Sequence, residues 1–163
     1  MKKSQKGFTI IEVALVLAIG ALIFLVVFLA VPALQRNQRN DARKRDISSV
    51  VDAVASYTGN NPGKTVAEGD AYKNGKADST KDLGKYLDTL STNTDTVTVK
   101  SGATTASTPT SFGDSTRPNT IFVYTSAKCS DSANIAKASS RSAAVIGAME
   151  TANGIQAYCQ DAN

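Results

Sequence analysis

Residue types that support catalysis and metal binding are scarce in this sequence. The chain contains no histidine and no tryptophan, and it has only two cysteines, Cys129 and Cys159. Histidine is the most frequent general base and a common metal ligand, and two cysteines without histidine do not supply the ligand set of a zinc site. The sequence also lacks a glycine-rich phosphate loop. We therefore expect no catalytic residues, no metal and no cofactor, and we predict that the chain is not an enzyme.

Positive charge is concentrated at the N-terminus, although the formal net charge of the whole chain is only +4. The first seven residues hold Lys2, Lys3 and Lys6 without an acidic residue, whereas the part from Thr58 onward has ten basic and ten acidic residues. This balance argues against a broad nucleic-acid-binding surface. A short basic segment before an apolar run is typical of a membrane-orienting signal whose basic end stays in the cytoplasm.

A long apolar run follows the basic segment. It begins at Phe8, and the 22 residues from Val13 to Leu34 carry no charge. A helix of that length spans about 33 Å, enough to cross the hydrocarbon core of a bilayer. One carboxylate, Glu12, lies within the run. Burial at the membrane centre would cost about 2.5–3.5 kcal/mol, and a position near the helix N-terminus lowers that cost. Glu12 is either an ordinary flanking residue that reaches the interface or a group with a dedicated partner.

The residues around Glu12 form a specific pattern, Lys6-Gly7-Phe8-Thr9-Ile10-Ile11-Glu12-Val13. Together with the basic leader and the apolar run, this pattern resembles the class III leader and processing site of type IV prepilins. The resemblance covers residues 2–57. It implies that a prepilin peptidase cuts between Gly7 and Phe8 and that Phe8 is then N-methylated. Glu12 would become the fifth residue of the mature chain.

The resemblance also implies a mode of assembly. In type IV pilins the amine created by cleavage, here on Phe8, is thought to pair with the glutamate of a neighbouring subunit, here Glu12. A charge buried among packed helices needs such a partner, and one polar pair in an apolar interface also fixes the axial register. The implied product is a helical homopolymer, an extracellular pilus for adhesion, motility or DNA uptake. The implied partners are a prepilin peptidase and methylase, an assembly platform in the cytoplasmic membrane, and membrane lipid before assembly.

Two positions depart from the usual pattern of that family. Many type IV pilins carry a helix-bending proline at the twenty-second mature position, which is Leu29 here, and the proline follows three residues later as Pro32. Many also have glycine at the fourteenth position, where this chain has Ala21 beside Gly20. We expect the helix to bend at Pro32.

Three alternatives to a pilus subunit stay open at this point. The N-terminus is compatible with a pseudopilin of a type II secretion system, and also with an uncut, membrane-tethered extracellular binding module. In addition, the small residues from Val31 to Ala33 resemble a signal-peptidase site that would release a chain beginning at Leu34. Against this third alternative, the apolar run exceeds the usual 7–15 residues, and Glu12 is left unexplained.

The helix is predicted to continue well past the apolar run. Residues 35–46 are strongly polar, and residues 33–58 contain no proline or glycine. Apolar residues then recur at three- and four-residue spacing, which is typical of one helix face. These residues are Ile47, Val50, Val51, Val54 and Tyr57. We predict one helix of about 50 residues, from Phe8 to near Tyr57, whose second half packs this apolar stripe against the body.

A cluster of basic residues lies in the polar part of this helix: Arg36, Arg39, Arg43, Lys44 and Arg45. We interpret the cluster as a solvated helix face in which Asp41 and Asp46 pair with basic residues at helical spacing, or as a set of contacts to lipid headgroups. Nucleic-acid binding by the same cluster is the alternative.

The remaining residues predict a small head. Residues 63–82 are expected to form a connecting loop, residues 81–90 a short helix, and residues 101–116 a loop rich in serine and threonine. Strands are predicted at residues 95–100, 120–125, 142–150 and 155–159, and Asn153-Gly154 between the last two indicates a hairpin. The predicted fold is therefore α+β and pilin-like, with a long N-terminal helix and a small antiparallel C-terminal sheet.

These elements define four predicted regions. Residues 1–7 form the leader that is cleaved, residues 8–34 the membrane-spanning and filament-core half of the helix, residues 35–58 its amphipathic half, and residues 59–163 the head. The precursor is expected in the cytoplasmic membrane as a single-pass protein with its N-terminus inside. The head is then exported.

The head has few large apolar side chains, so we expect it to need both the helix stripe and a covalent staple. For an exported head, the two cysteines favour one disulfide over two free thiols. A bridge between Cys129 and Cys159 closes a loop of about 30 residues, which is worth about 3–4 kcal/mol in the chain-entropy model. Pilins often have a disulfide near the C-terminus, so the resemblance agrees with this expectation.

Overall fold

The computed structural model describes residues 7–91, 94–102, 119–131 and 134–162. It contains helix α1 (Ile10–Asn60), a short 3-10 helix (Leu83–Lys85) and a set of strands after them. The described strands are β1 (Gly69–Lys73), β2 (Lys76–Ala77), β3 (Thr96–Ser101), β4 (Thr120–Thr125), β5 (Ala127–Cys129), β6 (Ile135–Lys137), β7 (Ala143–Thr151) and β8 (Gly154–Ala162). This order confirms the predicted α+β, pilin-like fold class, and α1 has 51 residues, close to the predicted length.

The chain divides into two compact units, residues 1–37 and residues 38–163. In the described part of the N-terminal unit, helix α1 exposes large apolar side chains all round, including Ile10 at 90 % of its full exposure, and Phe8 just before the helix is 89 % exposed. By length and composition α1 can cross a membrane. Pro32 lies inside the helix. The bend predicted at Pro32 stays a prediction.

In the C-terminal unit, six strands form one sheet in the order β2-β1-β3-β4-β7-β8. Strands β3 and β4 are parallel, whereas the other neighbouring pairs in this sheet are antiparallel. The prediction of a wholly antiparallel sheet was therefore wrong, and the sheet is mixed. The reason lies in the chain between Ser101 and Thr120, which is long enough for the crossover that parallel neighbours require. The serine- and threonine-rich loop predicted at residues 101–116 lies mostly outside the described residues.

The C-terminal part of α1 packs on one face of this sheet, as the apolar stripe predicted. Ile47, Val50, Val54 and Tyr57 are at most 4 % exposed, and they share a core with residues of β3, β4 and β7. Gly147 in β7 permits this close approach, because a Cβ there would overlap the Ile47 side chain. The apolar stripe of α1 and the facing side chains of the sheet therefore form one core.

Two elements of the head differ from the prediction. Residues 69–77, expected to be part of a loop, form the hairpin β1–β2, whose turn residues Asn74 and Gly75 have φ values of 52° and 76°. Positive φ at both central residues is typical of a type I′ turn, for which Asn-Gly is the preferred sequence. The dipeptide Asn74-Gly75 was therefore the missed signal.

Residues 81–90 form only the 3-10 helix Leu83–Lys85 instead of the predicted helix. The backbone at Gly84 comes so close to Asp78 that a Cβ would overlap the Asp78 carbonyl oxygen. The apolar spacing was nevertheless informative, because Leu83, Leu87 and Leu90 are at most 7 % exposed. Packing against β1 therefore overrides the local helical pattern.

The other face of the sheet carries a second, smaller apolar cluster. Successive residues of a strand point to opposite faces, so Val145 belongs to the first core while Ala144 and Ile146 belong to the second. Strands β5 and β6 pair with each other and contribute Ala127 and Ile135 to this second cluster. The predicted hairpin β7–β8 is present, with Ala152 and Asn153 in its turn and Gly154 at φ 120°.

Candidate functional site

The predicted processing site lies just before helix α1. Gly7, Phe8 and Thr9 are exposed and are not helical, and the helix begins at Ile10. The bond between Gly7 and Phe8 therefore lies in exposed, non-helical backbone. We infer that this short segment leaves the bond open to a peptidase without unwinding of the helix.

Thr9 and Glu12 form a reciprocal cap at the start of α1. The Thr9 backbone N–H donates to Glu12 Oε2 at 2.8 Å, and the Thr9 hydroxyl donates to the same oxygen at 2.9 Å. The Glu12 backbone N–H donates back to Thr9 Oγ1 at 3.3 Å. This arrangement is a capping box, which satisfies backbone N–H groups that have no partner within the helix. It also fixes the Glu12 side chain at the first turn of the helix.

The surroundings of Glu12 are apolar and open. Glu12 contributes to the lining of an open depression of about 290 Å³, together with Phe8, Val13, Val16 and Leu17. Neither of the bonds from Thr9 uses Glu12 Oε1. The site thus presents one carboxylate, partly satisfied by its own chain, on a surface whose other side chains are almost all apolar.

The comparison with known families bears on this same segment. Residues 2–28 match the family model described as the prokaryotic N-terminal methylation motif. This motif is the leader signal of type IV pilins with a class III leader, so the resemblance inferred from residues 6–13 is confirmed. The match ends within α1 and does not include the sheet. No curated protein and no solved structure matches the chain.

Motif and fold together define the class of protein. A methylation motif, an exposed apolar helix after it and a pilin-like head support a type IV pilin-like or pseudopilin-like protein. Among the described residues no group of three or more potential metal ligands occurs. The class implies processing by a prepilin peptidase.

The two cysteines that were predicted to form a disulfide lie on the second face of the sheet. Cys129 at the end of β5 and Cys159 in β8 are bonded through their sulfur atoms, and their Cα atoms lie 5.9 Å apart. The Cys129 backbone N–H also donates to Asp161 Oδ1 at 2.6 Å. Both contacts tie the small β5–β6 ladder to strand β8.

A second polar site was not predicted from the sequence. We call it the Glu150 lock and define it as Arg39, Asn40, Arg43 and Glu150. Arg39 Nη2 lies 2.6 Å from Glu150 Oε2, and Arg43 Nη1 lies 2.8 Å from Glu150 Oε1. Hydrogen bonds from Arg39 lower the pKa of the Glu150 carboxyl, and the same contact raises the pKa of Arg39. The prediction that these arginines pair with acids of their own helix was wrong, because their partner is 107 to 111 residues away in strand β7.

Asn40 completes the lock through the backbone. Its side-chain Nδ2 donates to the Glu150 carbonyl at 2.8 Å, and its Oδ1 accepts from the Glu150 N–H at 2.8 Å. An amide that both donates to and accepts from one residue imitates the pairing of a neighbouring strand. The lock therefore holds the end of β7 to helix α1, and it neutralises part of the basic cluster that was considered for nucleic acid.

A third polar contact fixes the loop before β3. Asp46 is only 5 % exposed, and its carboxylate accepts hydrogen bonds from the Ser91 N–H, the Ser91 hydroxyl and the Thr94 hydroxyl at 2.9, 2.6 and 2.6 Å. From the sequence, Asp46 was expected on a solvated helix face. Its position one residue before Ile47 was the available signal, because the apolar stripe begins there.

Proposed function

We propose that this protein is the structural subunit of a type IV pilus, assembled without covalent links through its N-terminal helix into an extracellular filament. The observation that carries the proposal is the placement of Glu12. It stands five residues after the Gly7–Phe8 bond, inside a matched methylation motif, on an apolar helix surface that its own unit leaves exposed. An exposed apolar surface of this extent needs lipid or other copies of the helix around it.

Maturation supplies the second charge of the proposed contact. Cleavage after Gly7 releases residues 1–7 and creates an α-amino cation on Phe8, which the methylase then modifies. In the filament this cation lies beside Glu12 of a neighbouring subunit. A carboxylate among packed apolar helices is strongly destabilising without a partner, so correctly registered neighbours are selected.

The capping box stabilises the Glu12 carboxylate in a subunit that has not yet been assembled. Thr9 supplies two hydrogen bonds to the carboxylate while no neighbour is present. Because both bonds use Oε2, a neighbouring amine has access to Oε1. Assembly then adds an ion pair to the cap and does not require its loss.

The rest of the chain is assigned by the same proposal. Residues 8–34 hold the precursor in the cytoplasmic membrane and later line the filament core, with a bend at Pro32. Residues 35–58 connect this segment to the head of residues 59–163. The Cys129–Cys159 disulfide staples the head after export. Copies of the chain, the prepilin peptidase and methylase, and a membrane assembly platform are the partners.

Intact-mass analysis of the surface-exposed protein tests the first step. We expect a chain that begins at Phe8 and carries one added methyl group, recovered in a polymer that sediments after shearing. A chain that begins at Leu34 would favour a secreted protein, and an uncut chain at Met1 in monomeric form would favour a membrane-tethered binding module. A mature Phe8 terminus in short periplasmic fibres without surface filaments would favour a pseudopilin.

A further inference from the structure

A cleft lies where helix α1 ends in the C-terminal unit. One wall is formed by Thr58, Gly59 and Pro62, and the other by Ser139, Arg141 and Ser142. The cleft, which we call the Arg141 cleft, has a volume of about 480 Å³. This volume lies within the range of about 300–1,000 Å³ that small-molecule sites occupy. It is remote in sequence from the processing site and has no part in the proposed filament contact.

The wall that carries Arg141 is a fixed turn. The Ser142 N–H donates to the Ser139 carbonyl at 3.1 Å, and the hydroxyls of the two serines lie 2.8 Å apart. Strand β7 begins immediately after this turn, at the buried residue Ala143. Arg141 is therefore held on a short, closed turn next to a sheet strand, which limits the ordering that a ligand would have to induce.

Among the described residues that line the cleft, one is charged, Arg141. In the part of the chain that the structure describes, no carboxylate pairs with Arg141, unlike Arg39 and Arg43. An unpaired guanidinium offers a planar fork of donors that fits a carboxylate in a bidentate manner.

Gly59 keeps the opposite wall open. A Cβ built on Gly59 would have no atom within 4 Å, so close packing does not require glycine at this position. Glycine within a helix lowers helix stability by about 1 kcal/mol relative to alanine. Gly59 thus lines the cleft without a side chain of its own, and the space around its Cβ position is open.

From this geometry we propose that the Arg141 cleft binds a carboxylated sugar. Arg141 pairs with the carboxylate, and the hydroxyls of Ser139 and Ser142 contact sugar hydroxyls. The Thr58 hydroxyl, which donates to the Val54 carbonyl at 2.8 Å, accepts from a further sugar hydroxyl. The charge of the site favours a uronate over a phosphate ester. The lining holds one cation, which matches a single carboxylate, whereas a phosphate monoester carries a charge of about −1.5 to −2 at neutral pH. Such a site would let the exposed head recognise acidic polysaccharide.

Titration of the full-length chain in detergent micelles, followed by ¹⁵N NMR, tests the proposal. The probe is an oligomer of glucuronic acid, and the controls are the corresponding glucose oligomer and inorganic phosphate. We expect the uronate alone to shift the amide signals of Thr58, Gly59 and Ser142. Arg141→Gln should weaken binding at least about tenfold, the usual worth of a charge-assisted hydrogen bond. Gly59→Leu should also weaken it without lowering the melting temperature.

Arg45→Gln is the matched control, because it removes one exposed positive charge from helix α1 far in sequence from the cleft. Unchanged uronate binding in this variant supports the site. Equal weakening by Arg45→Gln and Arg141→Gln would show non-specific attraction and overturn the proposal. It would also be overturned if phosphate shifted the same amides as strongly as uronate. The proposal would also be overturned if uronate caused no shift in the parent chain. A lower melting temperature of Arg141→Gln would then indicate that Arg141 stabilises the C-terminus of helix α1 through the helix dipole.

Discussion

The two units of this chain differ in how far they bury the apolar side chains of helix α1. In residues 10–34, apolar side chains cover all sides of α1 and are exposed, and the one carboxylate, Glu12, accepts hydrogen bonds from Thr9. In residues 38–60, the apolar side chains lie on one face and are buried by the sheet, while Arg39, Arg43 and Asp46 find partners in the head. A helix that is apolar all round requires an environment that the chain does not supply, whereas an amphipathic helix can be completed within its own domain.

Because of this difference, the two units are stabilised by different contacts. The C-terminal unit is held by two apolar clusters, a disulfide and the Glu150 lock, all of which come from one chain. The N-terminal unit has no comparable core among its described residues, and in the proposed function lipid or other copies surround it. Changes in the N-terminal unit should therefore act on assembly, and changes in the C-terminal unit on folding of the head.

The largest expected effect is on assembly, at Glu12. Glu12→Ala and Glu12→Gln should abolish or strongly slow filament growth, because the neighbouring amine loses its partner. Membrane insertion should survive, since removal of a charge makes the segment more apolar. Cleavage after Gly7 should largely survive too. The measurement is filament yield after shearing, compared with the amount of mature subunit in the membrane.

Two controls sharpen this prediction. Glu12→Asp keeps the charge on a shorter side chain and should be intermediate. Asp41→Ala removes an exposed acid from the other part of the helix and should leave filament yield unchanged. Normal filament yield from Glu12→Ala, with no other intact copy in the cell, would show that filament growth does not require the charge of Glu12.

A smaller effect is expected from the disulfide, and it should be confined to the head. Cys159→Ser should lower the free energy of unfolding of the C-terminal unit by about 3–4 kcal/mol, the value for a loop of this length in the chain-entropy model. Denaturant unfolding followed by near-UV circular dichroism measures it. Intact mass before and after reduction should differ by two hydrogens.

The control for this prediction is membrane association, which should stay unchanged in Cys159→Ser because both cysteines belong to the C-terminal unit. We also expect the β5–β6 ladder to lose hydrogen-exchange protection before the core beside α1 does, since Cys129 ends β5. Two free thiols in freshly isolated protein would contradict the staple.

The smallest effect should come from the Glu150 lock, and it depends on pH. The arginines lower the pKa of Glu150 in the folded chain below its usual value of 4.5. Its contribution is therefore fully present above that value and is lost as the pH falls through the lowered pKa. At neutral pH, Glu150→Gln should cost about 1 kcal/mol, because the pair is partly exposed.

Denaturant unfolding at pH 7 and at pH 3 distinguishes this effect from a simple packing loss. The difference between parent and Glu150→Gln should shrink at the lower pH. Asp88→Asn, which changes an exposed carboxylate of the head, should show no such dependence. A difference that stays constant with pH would mean that the charge of Glu150 does not hold the lock.

Local patterns predicted the parts of this molecule that depend on local physics. The apolar run, the stripe from Ile47 to Tyr57 and the strand at Thr120–Thr125 each depend on the residues of one short segment, and each is present. The processing motif was equally visible, because a short string of residues defines it. The motif is confirmed by the match over residues 2–28, while the roles of Gly7, Phe8 and Glu12 stay predictions.

Contacts between distant segments could not be predicted in the same way. Nothing near Arg39 indicates that its partner is Glu150, and nothing near Asp46 indicates that Ser91 and Thr94 approach it. The parallel pairing of β3 and β4 likewise depends on the path of a long connection and not on either strand. Where backbone packing decides, as at Gly84, the local helix pattern was misleading.

The contact between the Phe8 amine and Glu12 of a neighbouring subunit is the central claim, and a labelled mixture measures it directly. Filaments are grown from equal amounts of two subunit pools, one with ¹⁵N at Phe8 and the other with ¹³C at the Glu12 carboxyl. Solid-state NMR then detects transfer only between different subunits. We expect transfer at the separation of an ion pair, about 4 Å or less between nitrogen and oxygen. Well-formed filaments without such transfer would show that Glu12 does not meet a neighbouring amine, and would contradict the claim.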